Sequence, residues 1–168
     1  MMRRAACILA VSLSVLACSR FEGAFSFLRE QPDLAKIPGV YTLDTQAYSF
    51  ASLKEQGYTD LSSTLTLLSD GTFSVSRLAD CCVYGEHGYF GGYFDGSGTW
   101  SVAKDQSVYD VRLRFKSLKR EGLNDIKQPE LPGEASFTLT KDASDYGLAA
   151  PLFDGEFRYV YFKKKGGS

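Results

Sequence analysis

The chain has 168 residues, of which 44% are hydrophobic, 14% aromatic and 23% charged, so it can form one domain with its own core and wholesale disorder is excluded. The composition also excludes collagen-like and coiled-coil proteins. Because the formal net charge is −1, the basic excess of a protein that binds nucleic-acid phosphates is missing, and we expect no nucleic-acid partner.

The N-terminal residues have the pattern of a secretory signal peptide. Arg3 and Arg4 give a positive start, and residues 5–17 form an apolar run interrupted only by Ser12 and Ser14. This run is shorter than the about 20 apolar residues that a membrane-spanning helix needs. We therefore predict a signal peptide at residues 1–17.

The end of this run carries a short motif, Val15-Leu16-Ala17-Cys18. It resembles the lipobox of bacterial lipoproteins, in which the cysteine thiol is acylated and the chain is cut just before it. The resemblance implies lipidation at Cys18, attachment to a membrane through the acyl chains, and a location in the bacterial cell envelope. In such lipoproteins a residue other than aspartate after the cysteine, here Ser19, implies passage to the outer membrane. We therefore expect an outer-membrane lipoprotein that faces the periplasm or the surface.

Residues 18–38 are predicted to form a lipidated tether. They contain three phenylalanines but end in two prolines and an aspartate, which favours an extended segment with one short helical turn. From Gly39 the pattern changes to short strands. We therefore predict a single domain at residues 39–165 and a flexible tail at residues 166–168.

The first strand of this domain is predicted at residues 39–43, and one short helix is expected before the second strand. Ser49 can cap a helix that includes Leu53 and Gln56. Gly57 then suits the left-handed residue that commonly ends a helix.

Residues 64–76 contain the clearest β-hairpin pattern of the chain. Residues 64–67 and 72–76 alternate between polar and apolar side chains, and Ser69-Asp70-Gly71 supplies the turn between them. Period-two alternation puts one set of side chains on a shared buried face. That set is Leu65, Leu67, Phe73 and Val75.

The remaining strands show the same alternation. A strand at residues 99–102 leads through a turn into residues 109–116, and residues 119–133 follow as a charged loop with two prolines. In the strand at 109–116 the predicted inward residues are Tyr109, Val111, Leu113 and Phe115, and the predicted outward residues are Asp110, Arg112, Arg114 and Lys116. Further strands are predicted at residues 136–140, where Phe137 and Leu139 face in, at 147–153 and at 157–163.

This set of elements predicts an all-β fold. About eight short antiparallel strands with almost no helix are typical of an up-and-down barrel or, as the alternative, a β-sandwich. A barrel is favoured because successive strands form hairpins and no long crossover is present to make a Greek key.

Two motifs in these strands, Asp70-Gly71-Thr72-Phe73 and Gly98-Thr99-Trp100, resemble those of the lipocalin-like small lipoproteins of bacteria. The resemblance implies a calycin-type β-barrel and an envelope location, and it implies no catalytic residue. In true lipocalins the Gly-x-Trp motif lies in the first strand, where this chain has Gly39-Val40-Tyr41.

Beyond the signal peptide and the lipidated residue, the cysteines are Cys81 and Cys82. Adjacent Cα atoms are about 3.8 Å apart, below the usual range for a disulfide, so a bridge between them would be strained and easily reduced. The alternatives are a soft-metal site with His87 and two buried thiols that serve only in packing. Because the spacing matches no familiar zinc motif, we predict no metal site and no cofactor, and this trio stays as the weak metal candidate.

Residues 84–98 combine six glycines with five aromatic side chains. At a barrel mouth such a segment can stack a sugar, a lipid headgroup or a side chain of a partner. The alternative, which we favour, is a glycine-kinked hairpin that turns at Gly91-Gly92 and buries residues 89–94 over the barrel end. The candidate contact residues are Tyr84, Tyr89, Phe90, Tyr93, Phe94 and Trp100.

No arrangement of residues predicts catalysis. His87 is the single histidine, and a glycine-rich segment is a poor frame for a nucleophile and its base. The chain has no nucleophile elbow, phosphate-binding loop or His-Glu-x-x-His motif, so we expect a protein that is not an enzyme. Lys163-Lys164-Lys165 is predicted to be a solvated end, with anionic lipid as the alternative contact.

Three functional hypotheses follow. The first, which the sequence favours, is a lipoprotein barrel that binds a small apolar molecule or a lipid, and the second is a periplasmic interaction, inhibitor or immunity protein that binds a partner through residues 84–98 or 119–133. The third is metal or redox handling by Cys81 and Cys82. The first hypothesis needs a hollow interior, and it fails if the interior is filled by Leu65, Phe73, Trp100, Val111, Leu113 and Phe137.

Overall fold

The structure, a computed structural model, describes residues 26–45, 53–55, 57–84, 92–121, 133–141, 145–153 and 157–166. The predicted signal peptide, Cys18 and His87 lie outside these ranges. The strands are β1 (Ser26–Phe27), β2 (Gly39–Leu43), β3 (Thr64–Leu67), β4 (Thr72–Ala79), β5 (Tyr93–Asp105), β6 (Val108–Glu121), β7 (Glu134–Lys141), β8 (Tyr146–Phe153) and β9 (Phe157–Lys164). The helical elements are a 3-10 turn at Leu34–Lys36, residues 53–55, and the one-turn helix α1 at Cys81–Tyr84.

Strands β2 to β9 form a closed antiparallel barrel. Each strand pairs with its neighbour in sequence, and β9 closes the ring by pairing with β2. Closure leaves none of these eight strands as a free edge. The predicted up-and-down barrel is confirmed, and so is the short helix between its first two strands, at residues 53–55.

The predicted hairpin is confirmed residue by residue. Leu65 lies opposite Val75 and Leu67 lies opposite Phe73, and all four side chains are buried. The turn between them contains Gly71 at φ 82°, a left-handed conformation that glycine adopts without strain.

The alternation predicted for residues 109–116 holds, with one exception. Val111 and Leu113 are buried and Arg112 is exposed, but Asp110 is buried instead of facing solvent. The N-terminal segment lies beside β6 at this point, since the Tyr109 amide donates a 3.2 Å hydrogen bond to the Leu28 carbonyl. Leu28 bridges β6 and β7 there, because its amide also donates to the Leu139 carbonyl at 2.9 Å, and the alternation along one strand cannot reveal such a contact with a distant segment.

The folded body begins before Gly39. Strand β1 pairs with the end of β7, Ser26 opposite Lys141, and Leu28 and Ile37 belong to the buried core. Residues 26–38, which we predicted as the second half of a tether, are therefore packed on the barrel. Leu28 and Ile37 make these contacts, although no periodic pattern of apolar residues predicts them.

Two segments that we predicted to lie outside the sheet extend strands of the barrel. Strand β6 extends to Glu121, which lies opposite Tyr93, so residues 119–121 belong to the sheet and not to a charged loop. Lys164 lies in β9, one residue beyond the predicted end of this strand, and its side chain is only 16% exposed and donates a hydrogen bond to the Lys36 carbonyl, 2.5 Å away.

The two ends of the barrel are closed differently. At the end where β2 begins and β3 and β9 end, Ile37 is fully buried and its carbonyl accepts a 2.5 Å hydrogen bond from the Tyr41 hydroxyl. We call this the Ile37 end. At the opposite end β4 leads through Asp80 into α1, which contacts β7 and β8 on the far wall as well as β4. Helix α1 therefore crosses the barrel mouth, and we call this the Asp80 end.

Side chains from opposite walls fill the interior. The rings of Phe137 and Phe162 meet edge to face with centroids 5.8 Å apart. Trp100 is half-buried at the Ile37 end, where its indole Nε1 donates a 2.9 Å hydrogen bond to the Leu68 carbonyl. The other five residues that the sequence placed in a filled core are all buried: Leu65, Phe73, Val111, Leu113 and Phe137. None of the described helices has the length and apolar character needed to cross a bilayer.

Candidate functional site

The Asp80 end contains a cluster of buried polar groups. Asp80 follows the last residue of β4 and is fully buried. Its Oδ2 accepts hydrogen bonds from Arg120 Nη2 at 2.8 Å and from the Gly92 amide at 2.9 Å, and its Oδ1 accepts one from the Tyr58 hydroxyl. Because a buried carboxylate is tolerated only when it is paired and hydrogen-bonded, these three donors explain how Asp80 stays inside the barrel.

A β-bulge in β6 brings Arg120 into the interior. Between the pairs Gly98–Phe115 and Ser97–Ser117, β6 has one residue more than β5. Since an extra residue inverts the alternation of a strand, side chains at even positions face inward after the bulge. Arg120 consequently lies opposite the inward Phe94, with its guanidinium carbon 6.0 Å from the Phe94 ring centroid.

A second bulge, in β4, brings Asp80 inside in the same way. The register of β4 against β5 shifts between Val75 and Leu78, and Arg77 within the shift has φ 54°. A positive φ is unusual for a residue with a side chain and is common in bulges. Odd positions of β4 face inward before the shift and even positions after it, so Leu78 and Asp80 both enter the barrel.

Glycines in β5 permit the bulge in β6. A Cβ atom added to Gly98 would lie 2.0 Å from the Arg114 carbonyl oxygen, and one added to Gly96 would lie 2.7 Å from the Ser117 carbonyl oxygen. The β5 and β6 backbones therefore approach too closely for a side chain at either position. Two of the glycines in the segment 84–98 are explained by this close approach within a strand.

Arg77 connects four parts of the rim at the Asp80 end. Its Nε lies 2.8 Å from Asp60, its Nη1 lies 2.9 Å from Glu121, and its own amide donates to Asp95 at 2.9 Å. Its guanidinium also stacks on the Tyr93 ring, 4.3 Å from the centroid. We call Asp60, Arg77, Tyr93 and Glu121 the rim cluster.

Ser62 and Arg77 favour the charged form of the Asp60 carboxylate. The Ser62 hydroxyl donates to Asp60 Oδ1 at 2.6 Å and the Ser62 amide donates to the same atom at 3.0 Å. These hydrogen bonds, together with the charge of Arg77, hold the pKa of Asp60 below its usual value. The Asp60 amide in turn donates to the Tyr93 hydroxyl at 2.8 Å, so the segment before β3 is tied to β5.

Cys81 and Cys82 are free thiols in α1, and both are buried. A hydrogen bond with Cys81 and burial raise the pKa of the Cys82 thiol well above its ordinary value. Because the thiolate is the nucleophile and the metal ligand, this environment disfavours both reactions at Cys82. Within the ranges that the structure describes, no three His, Cys, Asp or Glu residues are grouped closely enough to hold a metal ion.

The candidate contact residues are distributed differently from the sequence expectation. Tyr93 and Phe94 are buried in β5, the first under Arg77 and the second beside Arg120, so they do not form an exposed aromatic surface. Trp100 lies at the opposite end of the barrel. Tyr84 is the last residue of α1, and Tyr89 and Phe90 lie outside the described residues.

Sequence reasoning missed Tyr58, Arg77 and Arg120. The signal that could have found Arg77 and Arg120 is the break in alternation after Val75 and after Phe115. The arrangement joins the segment before β3, the residue before α1, and strands β5 and β6. It can act as a frame, since Asp80 binds the Gly92 amide on one side and Arg77 binds Glu121 on the other. Comparison of the chain with protein-family models, with curated proteins and with solved structures found no match.

Proposed function

We propose that the chain is a bacterial envelope lipoprotein, anchored by acyl chains on Cys18, that binds a protein partner at the Asp80 end of its barrel. The anchoring is supported by the basic start, the apolar run and the lipobox-like residues 15–18. The barrel serves as a rigid scaffold, in the manner of the second hypothesis raised by the sequence.

The filled interior is the observation that carries this proposal. Ligand pockets commonly measure about 300–1,000 Å³, and the barrel core is occupied by fully buried side chains such as Tyr41, Phe94 and Phe137. Both ends are closed as well, by Ile37 and by α1. Two clefts found among the described residues, of about 330 and 550 Å³, lie on the outside of the barrel, over β5 and β6 and at residues 26–30. Binding through the outer surface therefore fits better than binding inside.

The rim cluster is the reason for choosing the Asp80 end. Loops bind partners best when a rigid frame fixes their ends. The segments 85–91 and 122–132, whose structure is not described, both connect to residues of this frame, and the first carries Tyr89 and Phe90. Aromatic side chains on a fixed base are typical of protein-binding surfaces.

Photo-crosslinking in the native host tests the proposal. A crosslinking residue at Thr59, exposed at the Asp80 end, is compared with one at Ser74, exposed on the outer wall of β4. We expect a discrete crosslinked protein from position 59 and none from position 74. The same crosslinked species from both positions, or none from position 59 in membranes that contain the protein, would contradict binding at this end.

Ligand binding inside the barrel is the second candidate, and the small size of α1 favours keeping it. This helix has only one turn, and Asp80, immediately before it, is held by polar contacts to Tyr58, Gly92 and Arg120. Binding inside the barrel would require α1 to move out, together with the buried side chains of Leu53 and Tyr58. Titration of the folded protein with a fluorescent fatty acid tests this, and saturable one-to-one binding to the wild type would favour the second candidate over the first.

A further inference from the structure

The Ile37 end carries exposed apolar side chains. Within the described ranges the large exposed hydrophobic residues are Leu34, 57% exposed, and Leu68, 49% exposed. Leu34 opens the 3-10 turn that leads into Ile37, and Leu68 follows Leu67, which lies opposite Gly39 at the start of β2. Both leucines therefore lie at the same end of the barrel. Scattered exposed leucines are ordinary, but these two lie at the same closed end of the barrel, so the exposed apolar side chains are concentrated there.

Hydrogen bonds hold both leucines in place. The turn of Leu34 is capped by Asp33, whose Oδ1 accepts from the Ala35 amide at 3.2 Å. The Leu68 amide donates to the Thr72 carbonyl at 2.9 Å, and its carbonyl accepts from the Trp100 indole at 2.9 Å. The leucines therefore lie on ordered turns, so inserting their side chains into a lipid surface costs little additional conformational entropy.

The chain that leads to Cys18 leaves the barrel at this same end. Strand β1 is antiparallel to β7, and Ser26 lies opposite Lys141, the last residue of β7. Cys18 is eight positions earlier, and eight residues cover less than about 30 Å even when the chain is fully extended. That is about the length of an eight-residue strand such as β9. An anchor on Cys18 would therefore have to stretch along the entire barrel before the Asp80 end could lie on the membrane.

The charges at this end are close to balanced. Lys36 lies 3.7 Å from Asp33, and Lys164 lies 3.8 Å from Asp145. The other exposed charges among the described residues at this end include Lys104, Lys141 and Lys165 and, opposite in sign, Asp70 and Asp105. Electrostatic attraction to anionic lipid is therefore a minor part of the interaction with the membrane. Apolar insertion and the covalent anchor together hold this end on the lipid surface. Because the anchor keeps the protein at the surface, weak apolar contacts are enough to set its orientation.

We propose that the Ile37 end lies on the lipid surface, with Leu34 and Leu68 inserted among the headgroups, and that the Asp80 end faces away from the membrane. This inference rests on the proposed acylation of Cys18 and extends it, because it assigns the surface that the lipid contacts. It also leaves the rim cluster accessible to a partner.

Depth-dependent fluorescence quenching tests the orientation. The acylated protein is purified from membranes and reconstituted into vesicles of phosphatidylethanolamine with a minority of phosphatidylglycerol. A small environment-sensitive dye is attached to Leu68→Cys or Leu34→Cys, with Thr59→Cys at the Asp80 end as the matched control, and the protein without an added cysteine measures background labelling. Spin-labelled lipid supplies the quencher.

We expect several-fold stronger quenching at positions 34 and 68 than at position 59, and little change when phosphatidylglycerol is replaced by phosphatidylcholine. Equal quenching at all three positions, or strongest quenching at position 59, overturns the orientation. Mass spectrometry of the peptide that contains Cys18 is read separately. An unacylated Cys18 overturns the proposed anchoring and the orientation with it, whereas an acylated protein with the wrong quenching pattern overturns the orientation alone.

Discussion

The carboxylate of Asp80 and the guanidinium of Arg120 form an ion pair inside the mouth of the barrel, 2.8 Å apart, with side chains that are 0% and 5% exposed. Asp80 directly follows β4 and Arg120 lies on β6, the two strands that flank β5, and each residue is turned inward by a bulge in that strand. The pair joins the base of α1 to the wall of the barrel. The position of α1 therefore depends on both residues.

Breaking this pair is predicted to be strongly destabilising. Arg120→Met leaves the Asp80 carboxylate buried without its cation, and removing one partner of a buried pair costs about 3–5 kcal/mol. Arg114→Met is the control, because Arg114 pairs with Glu134 at 2.9 Å on the surface, where the two side chains are 76% and 59% exposed. An exposed pair contributes about 0–1 kcal/mol. Urea unfolding measures both variants, and similar losses would contradict a special role for the buried pair.

Replacing both partners measures the interaction between the two side chains. Asp80→Asn combined with Arg120→Met removes both charges, so the uncompensated ion is gone. We expect the double variant to be less destabilised than the sum of the single variants by about 1 kcal/mol or more. Additive losses in the same unfolding experiment would mean that the two side chains act independently.

Gly98→Ala is predicted to disturb the bulge in β6. The added methyl group would meet the Arg114 carbonyl oxygen at 2.0 Å and the Phe73 ring at 2.9 Å. Since neither the strand backbone nor a buried ring can move away easily, we expect a loss of about 1–3 kcal/mol. Gly133→Ala, which would meet nothing within 4 Å, is the control and should change stability by less than about 0.5 kcal/mol. Thermal unfolding that ranks the two variants equally would refute the steric argument.

The buried thiols are predicted to be unreactive in the folded protein. Cys81 and Cys82 are 1% and 5% exposed, and the raised pKa of Cys82 lowers its thiolate fraction at pH 8. We expect maleimide to label neither residue in buffer and both in urea, as measured by mass spectrometry. The variant Thr59→Cys, exposed at the same end, should label quickly under both conditions. Rapid labelling of the native wild type would revive the redox hypothesis.

Asp60 is predicted to make stability depend on acidic pH. A carboxyl group whose pKa is lowered by folding stabilises the native state above its unfolded pKa of about 3.9 and loses that contribution as the pH falls through the lowered folded value. Asp60→Asn should therefore unfold more easily than the wild type at pH 7. The difference should shrink below about pH 4. Asp105→Asn, at the exposed last residue of β5, is the control. A difference that is constant with pH would exclude this origin.

The local sequence was sufficient for much of the barrel. In residues 64–76 alternation, turn chemistry and strand length all agree, so the buried positions of Leu65 and Phe73 followed directly. The absence of a long crossover indicated the up-and-down order, which the pairing of each strand with its sequence neighbour confirms. These features depend on contacts between residues close in the chain, which periodicity records.

The tertiary structure alone decided which charged residues enter the barrel. Alternation along β6 placed Arg112 and Arg114 outside correctly and breaks after Phe115, but the break by itself does not show that a bulge there turns Arg120 inward. A bulge is fixed by the register of two strands and by the space that Gly98 leaves between them, and these are properties of a pair of strands. The packing of residues 26–38 was hidden for a similar reason, because their partners on β6 and β7 are about 80 to 115 positions away in the chain.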